Sequence, residues 1–508
     1  MPTSFYNGIE NNTNPTRNAL WVSLSALLYG VKGYDSGMLN ALQAVPKFYE
    51  AFPQLKTDSR LLGTTTALMY LPGLLFPMVG AWLADRVGRK IPLLVAIFGA
   101  IVTPIIQAFS VNLGQLMAGR FLMGMFSCVG AVSGLAMCAE LSHPRFRAQA
   151  MSLQLSMYFI GNILCSSTSY ATIAHLKQST WSYKLPLLLQ LVLPAICLPL
   201  AIWIPQSPRW LISKGRVEEA RQILANLHAN GKLDDPLVEH EILEVENAIA
   251  LEKEQHVGWL SLLKTKANRW RMFIVVHSAA GAQLNGIGII AYYLVPMLKV
   301  VGITDSKVQS QLLIGMGVMN LCVNTGATYV VDRAGRRPMW LSSTLGMLIS
   351  LIVITGTSAA FTKNPNPSLG SATVAFIFLF YASFDIGWMP LGTPYTTEIL
   401  PFSIRAKGIA VSTMSTYASL CINTWVNPIA MAAISWKYYF VYIGILIYLF
   451  CVAFFFFPET KGRTLEEVAY VFGDIPEDSL TRDVHVSEKI DGDSESIKQV
   501  NALPDGRV

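Results

Sequence analysis

The sequence predicts an all-α membrane protein: twelve transmembrane helices in two six-helix repeats, with a helical segment between them. Three observations predict it. Charged residues make up 14% of the 508 residues and apolar ones 52%, whereas a soluble chain carries about 25% charge. Apolar runs that approach or exceed the ~20 residues needed to cross hydrocarbon recur at 91–111, 185–204, 271–298, 339–360, 371–397 and 436–457. Three short motifs also occur twice, in the same order, one set in each half of the chain.

Taken in order, the first eighteen residues are polar and a span follows at once, so no cleavable signal peptide is expected. Six spans are expected at about 19–43, 61–83, 91–111, 115–139, 149–174 and 184–204. The first contains "LLYGVKGYDSGMLNAL", which places Lys32 and Asp35 inside a membrane-length run. A carboxylate at that depth costs about 2.5–3.5 kcal/mol on insertion scales, so it marks a proton relay or a bound partner. Residues 205–270 are hydrophilic. Val217, Ile223, Leu224 and Leu227, then Leu237, Ile242, Val245 and Ile249, recur there at helical spacing, and Gly231 stops the first stretch. These read as amphipathic helices lying against the membrane domain. Six further spans are expected at 271–298, 308–330, 339–360, 371–397, 406–434 and 436–457. The tail is polar and reads as disordered after about residue 470. The organisation is therefore a segment 1–18, a six-helix half 19–204, a linker 205–270, a second half 271–457 and a tail 458–508.

Arginine sets the orientation. Arg86, Arg89, Arg145, Arg147, Arg333, Arg336, Arg337, Arg405 and Arg463 fall in loops on one side, which the positive-inside rule assigns to the cytosol together with both termini and the linker. The net charge of +6 comes from these short loops and implies no nucleic acid. All seven cysteines lie in apolar stretches, as packing residues and not as a disulfide framework or metal site. No nucleophile–base spacing, metal-ligand cluster or phosphate loop is evident, so neither an enzyme nor a cofactor is expected.

The repeat carries the functional argument. "GAWLADRVGRK" is answered by "GATYVVDRAGRR", "AELSHPRFRAQA" by "TEILPFSIRAKG", and "IPQSPRWL" by "FPETKGRTL", at offsets of 247, 258 and 253. Six spans, a loop and six related spans is the plan of parallel-repeat transporters, with the substrate near the midplane between the halves. A single acidic-basic loop of this kind would only set topology. Three repeated types point to charge networks that close the cytosolic side in one state and break in another. The expected members are Asp85, Arg89, Glu140 and Arg147, then Asp332, Arg336, Glu398, Arg405 and Glu459.

With "GYDSG" in span 1, "DRVGRK", "GRFLMG", "AELSHPRFR", "PQSPRWL", "YYL", "DRAGRRP", "TEILPFSIRAKG" and "PETKGRTLEEV", the chain resembles a sugar porter of the major facilitator superfamily from residue 30 to about 470. "LISKGRVEEARQILANLHANG", "FDIGWMPL" and "FFFFPETKGRTLEEV" resemble the fungal lactose-permease-like branch, close to hexose transporters. The resemblance implies uptake of a disaccharide or hexose across the plasma membrane, often by proton symport. It makes Asp35 the proton carrier and Arg120, opening span 4, its partner; the bland alternative is a static salt bridge. Lys32, on the same helix face, would favour ionised Asp35 and make a poorly coupled porter or a facilitator, or would snorkel outward and do nothing.

Site residues transfer less fully. The sugar-touching Gln-Gln and Asn of span 7 fall on Ala282, Gln283 and Gly288, and the stacking Trp of span 10 falls on Thr393. Gln154 lies seven residues before Gly161 where six is usual, and Gln206 replaces a Glu. A sugar site needs amides, hydroxyls and an aromatic face. The candidates are Gln154, Gln283, Asn285, Tyr292, Tyr293, Trp388, Thr416 and Asn423, with packing as the alternative for Trp388 and Tyr292. Asp385 could line the cavity or pair with a basic residue. The departures also leave open a porter or facilitator of the same fold for a polyol, a quinate-like acid or a secondary metabolite. A nontransporting sensor is a remoter alternative.

Overall fold

The computed structural model describes residues 15–143, 147–254, 258–463 and 465–473. The expected segment up to residue 14, the tail beyond Gly473, and the side chains of Arg147 and Asp332 lie outside the described residues. Span 1 is Pro15–Leu42. Span 2 is broken into Ser59–Ala67, a 3-10 turn Leu71–Leu74 and Phe76–Val87. Spans 3 to 5 are Lys90–Ala108, Leu113–Leu141 and Arg147–His175, and span 6 is Trp181–Leu189 with Val192–Trp203. In the second half, span 7 is broken into Lys266–Leu284 and Ile287–Val300. Spans 8 to 12 are Ser306–Ala334, Arg336–Lys363, Pro367–Ile399, Phe402–Ile434 and Tyr439–Phe456.

Helix pairing repeats between the halves. Span 3 packs on span 4 as span 9 packs on span 10, span 2 on span 4 as span 8 on span 10, and span 3 on span 6 as span 9 on span 12. The halves meet through span 5 against span 8 and span 2 against span 11, two contacts related by the same pseudo-two-fold. Among the described residues eight stretches are long and apolar enough to cross a bilayer by length and composition, the last, Phe402–Phe456, holding spans 11 and 12 together. Spans 1, 2 and 5 fall outside that set. Span 2 is broken into segments too short to qualify on their own. Spans 1 and 5 carry polar side chains where they pack against the opposite half, and a helix face there need not be as apolar as one that meets lipid.

The linker holds Pro208–Ser213, Val217–His228 and Pro236–Glu254. Leu211, Leu224, Val238 and Ile242 close a small apolar core among these helices, while Leu227 joins Leu24, Leu93 and Leu141 of the first half. His228 is fully buried; its Nδ1 lies 2.8 Å from Glu241 Oε2 and its Nε2 3.4 Å from the carbonyl of Leu141. The linker is thereby fastened to the end of span 4. The seven cysteines are all free.

Candidate functional site

A cavity of about 40 Å³ lies between the halves. Ser36, Asn40, Tyr158 and Asn162 line it from the first half; Tyr292, Asn320 and Tyr381 line it from the second. Ser36 Oγ donates to the Tyr158 hydroxyl at 2.8 Å. Amides and phenols in a membrane interior are costly without partners, so a wall built from them suits a polyhydroxylated solute.

One end of the cavity is tied shut by the chemistry of proline. Pro296 lacks an N–H and crowds the carbonyl four residues back, at Tyr292; Gln43 Nε2 of span 1 donates to that carbonyl at 3.0 Å, and Asn40 Nδ2 to Ala291 O at 2.9 Å. Pro428 does the same to Thr424, whose carbonyl accepts from the Tyr293 hydroxyl at 2.6 Å. Tyr292 and Tyr70 bring their rings to 5.5 Å across the two halves. The proline-freed carbonyls are thus the acceptors that join span 1 to span 7 and span 7 to span 11.

The eight residues expected at the substrate separate into three groups. Tyr292 lines the cavity. Gln283, Asn285, Tyr293 and Asn423 gather at the break in span 7. Gly286 there has φ +96°, which glycine adopts without strain, and Asn285 Oδ1 accepts from Ile287 N at 3.1 Å. Asn423 donates from Nδ2 to the Gln283 carbonyl and accepts from the Tyr442 hydroxyl at 2.6 Å. A Cβ at Gly288 would fall 2.2 Å from that Nδ2, so the Asn423 amide occupies the room that an Asn at 288 would need. The rest are directed elsewhere. Trp388 packs edge-on against Trp340 at 4.6 Å and donates to Thr344 Oγ1 at 3.1 Å, inside the core of the second half. Thr416 bonds back to Ser412 O of its own helix at 3.0 Å. Gln154 donates to Ser25 O at 3.4 Å and lines a separate cavity of about 70 Å³ within the first half.

Asp35 lines that second cavity too, with Lys32 and Met123. Its side chain is 1% exposed and accepts from Gln190 Nε2, a partner the sequence reading did not name. Gln190 lies between the two segments of span 6; an amide in an apolar run is the signal that could have found it. Among the described residues Asp35 and Arg120 form no ion pair. Arg120 is 2% exposed with Nε unpartnered, close enough to act on Asp35 through space. Lys32 does not pair with Asp35 either; its ammonium lies 5.7 Å from the Tyr29 ring. Asn40, Tyr158, Asn162, Asn320 and Tyr381 were also missed. They are ordinary polar residues scattered over four helices, and only the packing brings them together.

At the arginine-rich end each half carries its own cluster. In the first, Arg89 lies 3.5 Å from Asp85 and 3.7 Å from Glu140, and Ser207 donates to Glu140. In the second, Arg336 donates to Glu398 through NH2 at 2.9 Å and Nε at 3.2 Å, and Thr460 donates to the other oxygen of Glu398. Glu459 accepts from the backbone N–H groups of Arg336, Arg337, Thr460 and Lys461. Arg405 turns to the Leu400 carbonyl at 3.1 Å instead of a carboxylate.

The family described as "Sugar (and other) transporter" matches residues 21–472. The chain belongs to that family. Among relatives of this porter, the MFS-type transporter oryC of Aspergillus oryzae is 29% identical over 473 residues, covering 91% of this chain and 87% of its own. The low-affinity glucose transporter of Kluyveromyces lactis is 27% identical and covers 91% and 84%. Among solved structures, the major facilitator superfamily proton:xylose symporter XylE bound to 6-bromo-6-deoxy-D-glucose matches with TM-score 0.73 at 21% identity, over 90% of this chain and 100% of that one. The inward open XylE of E. coli matches with TM-score 0.72 at 22% identity, over 90% and 99%. The porter therefore has the major facilitator fold. Its family consists of membrane transporters, not enzymes.

Proposed function

We propose that the chain moves a sugar, a hexose or disaccharide, across the plasma membrane by alternating access, in symport with protons. The observation that carries the reading is the cavity between the halves, walled by Asn40, Asn162, Asn320 and the phenols of Tyr158, Tyr292 and Tyr381. Such a wall exchanges hydrogen bonds with several hydroxyl groups at once. Relatives named as glucose transporters and a structural neighbour named as a proton:xylose symporter support the solute class and the coupling. Asp35 carries the proton, held by Gln190 and influenced by Arg120. Among the described residues no cation pairs with it directly, which supports that role over a static salt bridge.

The arginine-rich end faces the cytosol with the linker and both termini. The clusters there act as clamps within each half, while the bonds from Asn40 and Gln43 to span 7 close the opposite side. The two halves, 19–204 and 271–457, rock about the cavity, with 205–270 as the connecting linker and 458–508 as the tail. The test is expression in a hexose-transport-deficient yeast, with uptake of a panel of sugars measured across pH and with a protonophore. Uptake of glucose or a disaccharide that collapses with the protonophore is expected; no uptake of any sugar overturns the reading.

A second reading is a porter of the same fold for a polyol, a quinate-like acid or a secondary metabolite. The specific observation that favours it is the filling of the span-7 site: Asn423 occupies the room beside Gly288, and Trp388 is buried against Trp340. Uptake of such a solute in the same panel, with none of sugar, would select it.

A further inference from the structure

Asp385 sits within span 10 with no exposed surface. Asn320 of span 8, which lines the cavity between the halves, donates from Nδ2 to Asp385 Oδ2 at 3.0 Å in the amide orientation its neighbours require. The other carboxyl oxygen, Oδ1, is buried and has no partner. Asp385 is therefore one hydrogen bond behind the cavity wall. Its titratable neighbours are phenols: Tyr381 on its own helix and Tyr158 of span 5, with Tyr292 of span 7 in reach of Tyr381. Span 9 presents the hydroxyl of Ser343, which is taken by the Ser383 carbonyl at 2.6 Å. Among the described residues no lysine, arginine or histidine pairs with Asp385.

A carboxylate sealed in this way, with one amide donor, one orphaned oxygen and no counter-ion, is among the least favourable arrangements of charge in a protein. The neutral acid removes the charge and turns the orphaned oxygen into a donor. Asp35 in the first half has the same kind of holder, an amide from a neighbouring span. We propose that Asp385 is a second proton-binding carboxyl, carried as the neutral acid while the cavity is closed around solute and exchanging its proton with water when the cavity opens. The O–H bond at the carboxyl breaks to water on the side where solute leaves, the carboxylate returns hydrated in the empty cavity, and it takes its next proton from water on the side where solute enters. This rests on the porter reading, in which the cavity opens alternately to the two sides, and adds a second proton to the one assigned to Asp35.

The test uses the purified full-length protein. Infrared spectra in H2O and D2O read the carbonyl stretch of neutral carboxyl groups directly and need no substrate. A band that disappears in Asp385→Asn, remains in Asp35→Asn and returns shifted in Asp385→Glu is expected; an unchanged spectrum in Asp385→Asn overturns the proposal. In proteoliposomes with glucose as the probe, the number of protons moved per glucose should fall by one in Asp385→Asn. A ratio unchanged while the band is lost overturns the exchange step, because the proton would then be held permanently. If glucose is not moved, the ratio is measured with the sugar that the uptake panel selects; if no sugar is moved, the sugar assignment fails, and the infrared result still decides whether Asp385 holds a proton.

Discussion

The two clusters at the arginine-rich end have the same plan and different chemistry. Both are built on a glycine in a left-handed turn, Gly88 at φ +91° and Gly335 at φ +93°. Each turn sends the chain into the N-terminus of the next span, where unpaired N–H groups and the helix dipole favour negative charge. In the second half that place is filled by Glu459, which takes N–H groups of Arg336 at 2.9 Å and Arg337 at 3.0 Å. In the first half it is filled by Gln206, whose Oε1 takes Lys90 N at 3.1 Å and whose Nε2 is spent on the Val87 carbonyl at 3.4 Å. The neighbouring ion pair follows the same trend: Arg336 reaches Glu398 at 2.9 Å and Arg89 reaches Glu140 at 3.7 Å. A single exchange of carboxylate for amide leaves the turn intact and removes the charge that suits the helix end. The second half therefore holds the firmer clamp.

The largest effect is expected from removing that charge. Glu459→Gln keeps the size of the side chain but turns charge-assisted bonds into neutral ones, a loss on the order of 1–3 kcal/mol. Thermal unfolding should drop, and uptake at equal surface expression should slow several-fold. A variant with unchanged melting and uptake would show that the two clusters are equivalent after all.

The reverse exchange sharpens the comparison. Gln206→Glu gives the first half the carboxylate of the second, and a gain of up to about 1 kcal/mol is expected from the helix end. The variant loses the amide bond to Val87, so the gain is smaller than the loss in Glu459→Gln. Lowered thermal stability would mean that the amide bond to Val87 outweighs the charge.

This asymmetry was partly legible in the sequence. The six-plus-six plan, the repeated motifs and the Gln206 departure can all be read from spacing. The break in span 7 and the pairing of Gln190 with Asp35 cannot, because they depend on the turn the backbone takes at Gly286 and on where span 6 is interrupted. The candidate site was the least legible part. Tyr292 alone of the eight expected substrate residues lines the cavity. Trp388 and Asn423 are the right residue types for a sugar, but each already has its partners in Thr344, Gln283 and Tyr442. Hydrogen bonds made across helices are invisible to a reading that proceeds along one chain.

The clusters should also separate by pH. Burial pushes the Glu459 carboxyl up, but the four backbone N–H donors outweigh it and hold it below the usual carboxylate range. A group with a lowered native value contributes stability above its unfolded value and loses it as pH falls through the native one. The second clamp should therefore persist at mildly acidic pH and weaken only under strong acid, whereas Gln206 has nothing to titrate. In Glu459→Gln this acid-dependent part of the melting curve should be smaller than in wild type. Identical acid sensitivity in the two proteins would assign it to other carboxyls.

The smallest effect is expected at Asp85. From the sequence, Asp85 and Asp332 stand as equal members of the network, and their neutralisation should slow transport. The Asp332 side chain lies outside the described residues, but Asp85 can be judged. Its side chain is 76% exposed and meets Arg89 at 3.5 Å. Exposed pairs of this kind are worth about 0.2–1 kcal/mol and are screened by salt. Arg89 keeps the Ala84 carbonyl at 3.3 Å and Glu140 at 3.7 Å if Asp85 is lost. Trp210 bonds to the Asp85 backbone carbonyl at 3.0 Å, which a side-chain change does not touch. Asp85→Asn should thus change uptake by no more than about two-fold at equal surface expression. The difference should shrink further at high salt. A slowing as large as that of Glu459→Gln would mean that Asp85 pairs differently in another state of the cycle, and that the weaker cluster of the first half is the one that forms when the cytosolic side closes.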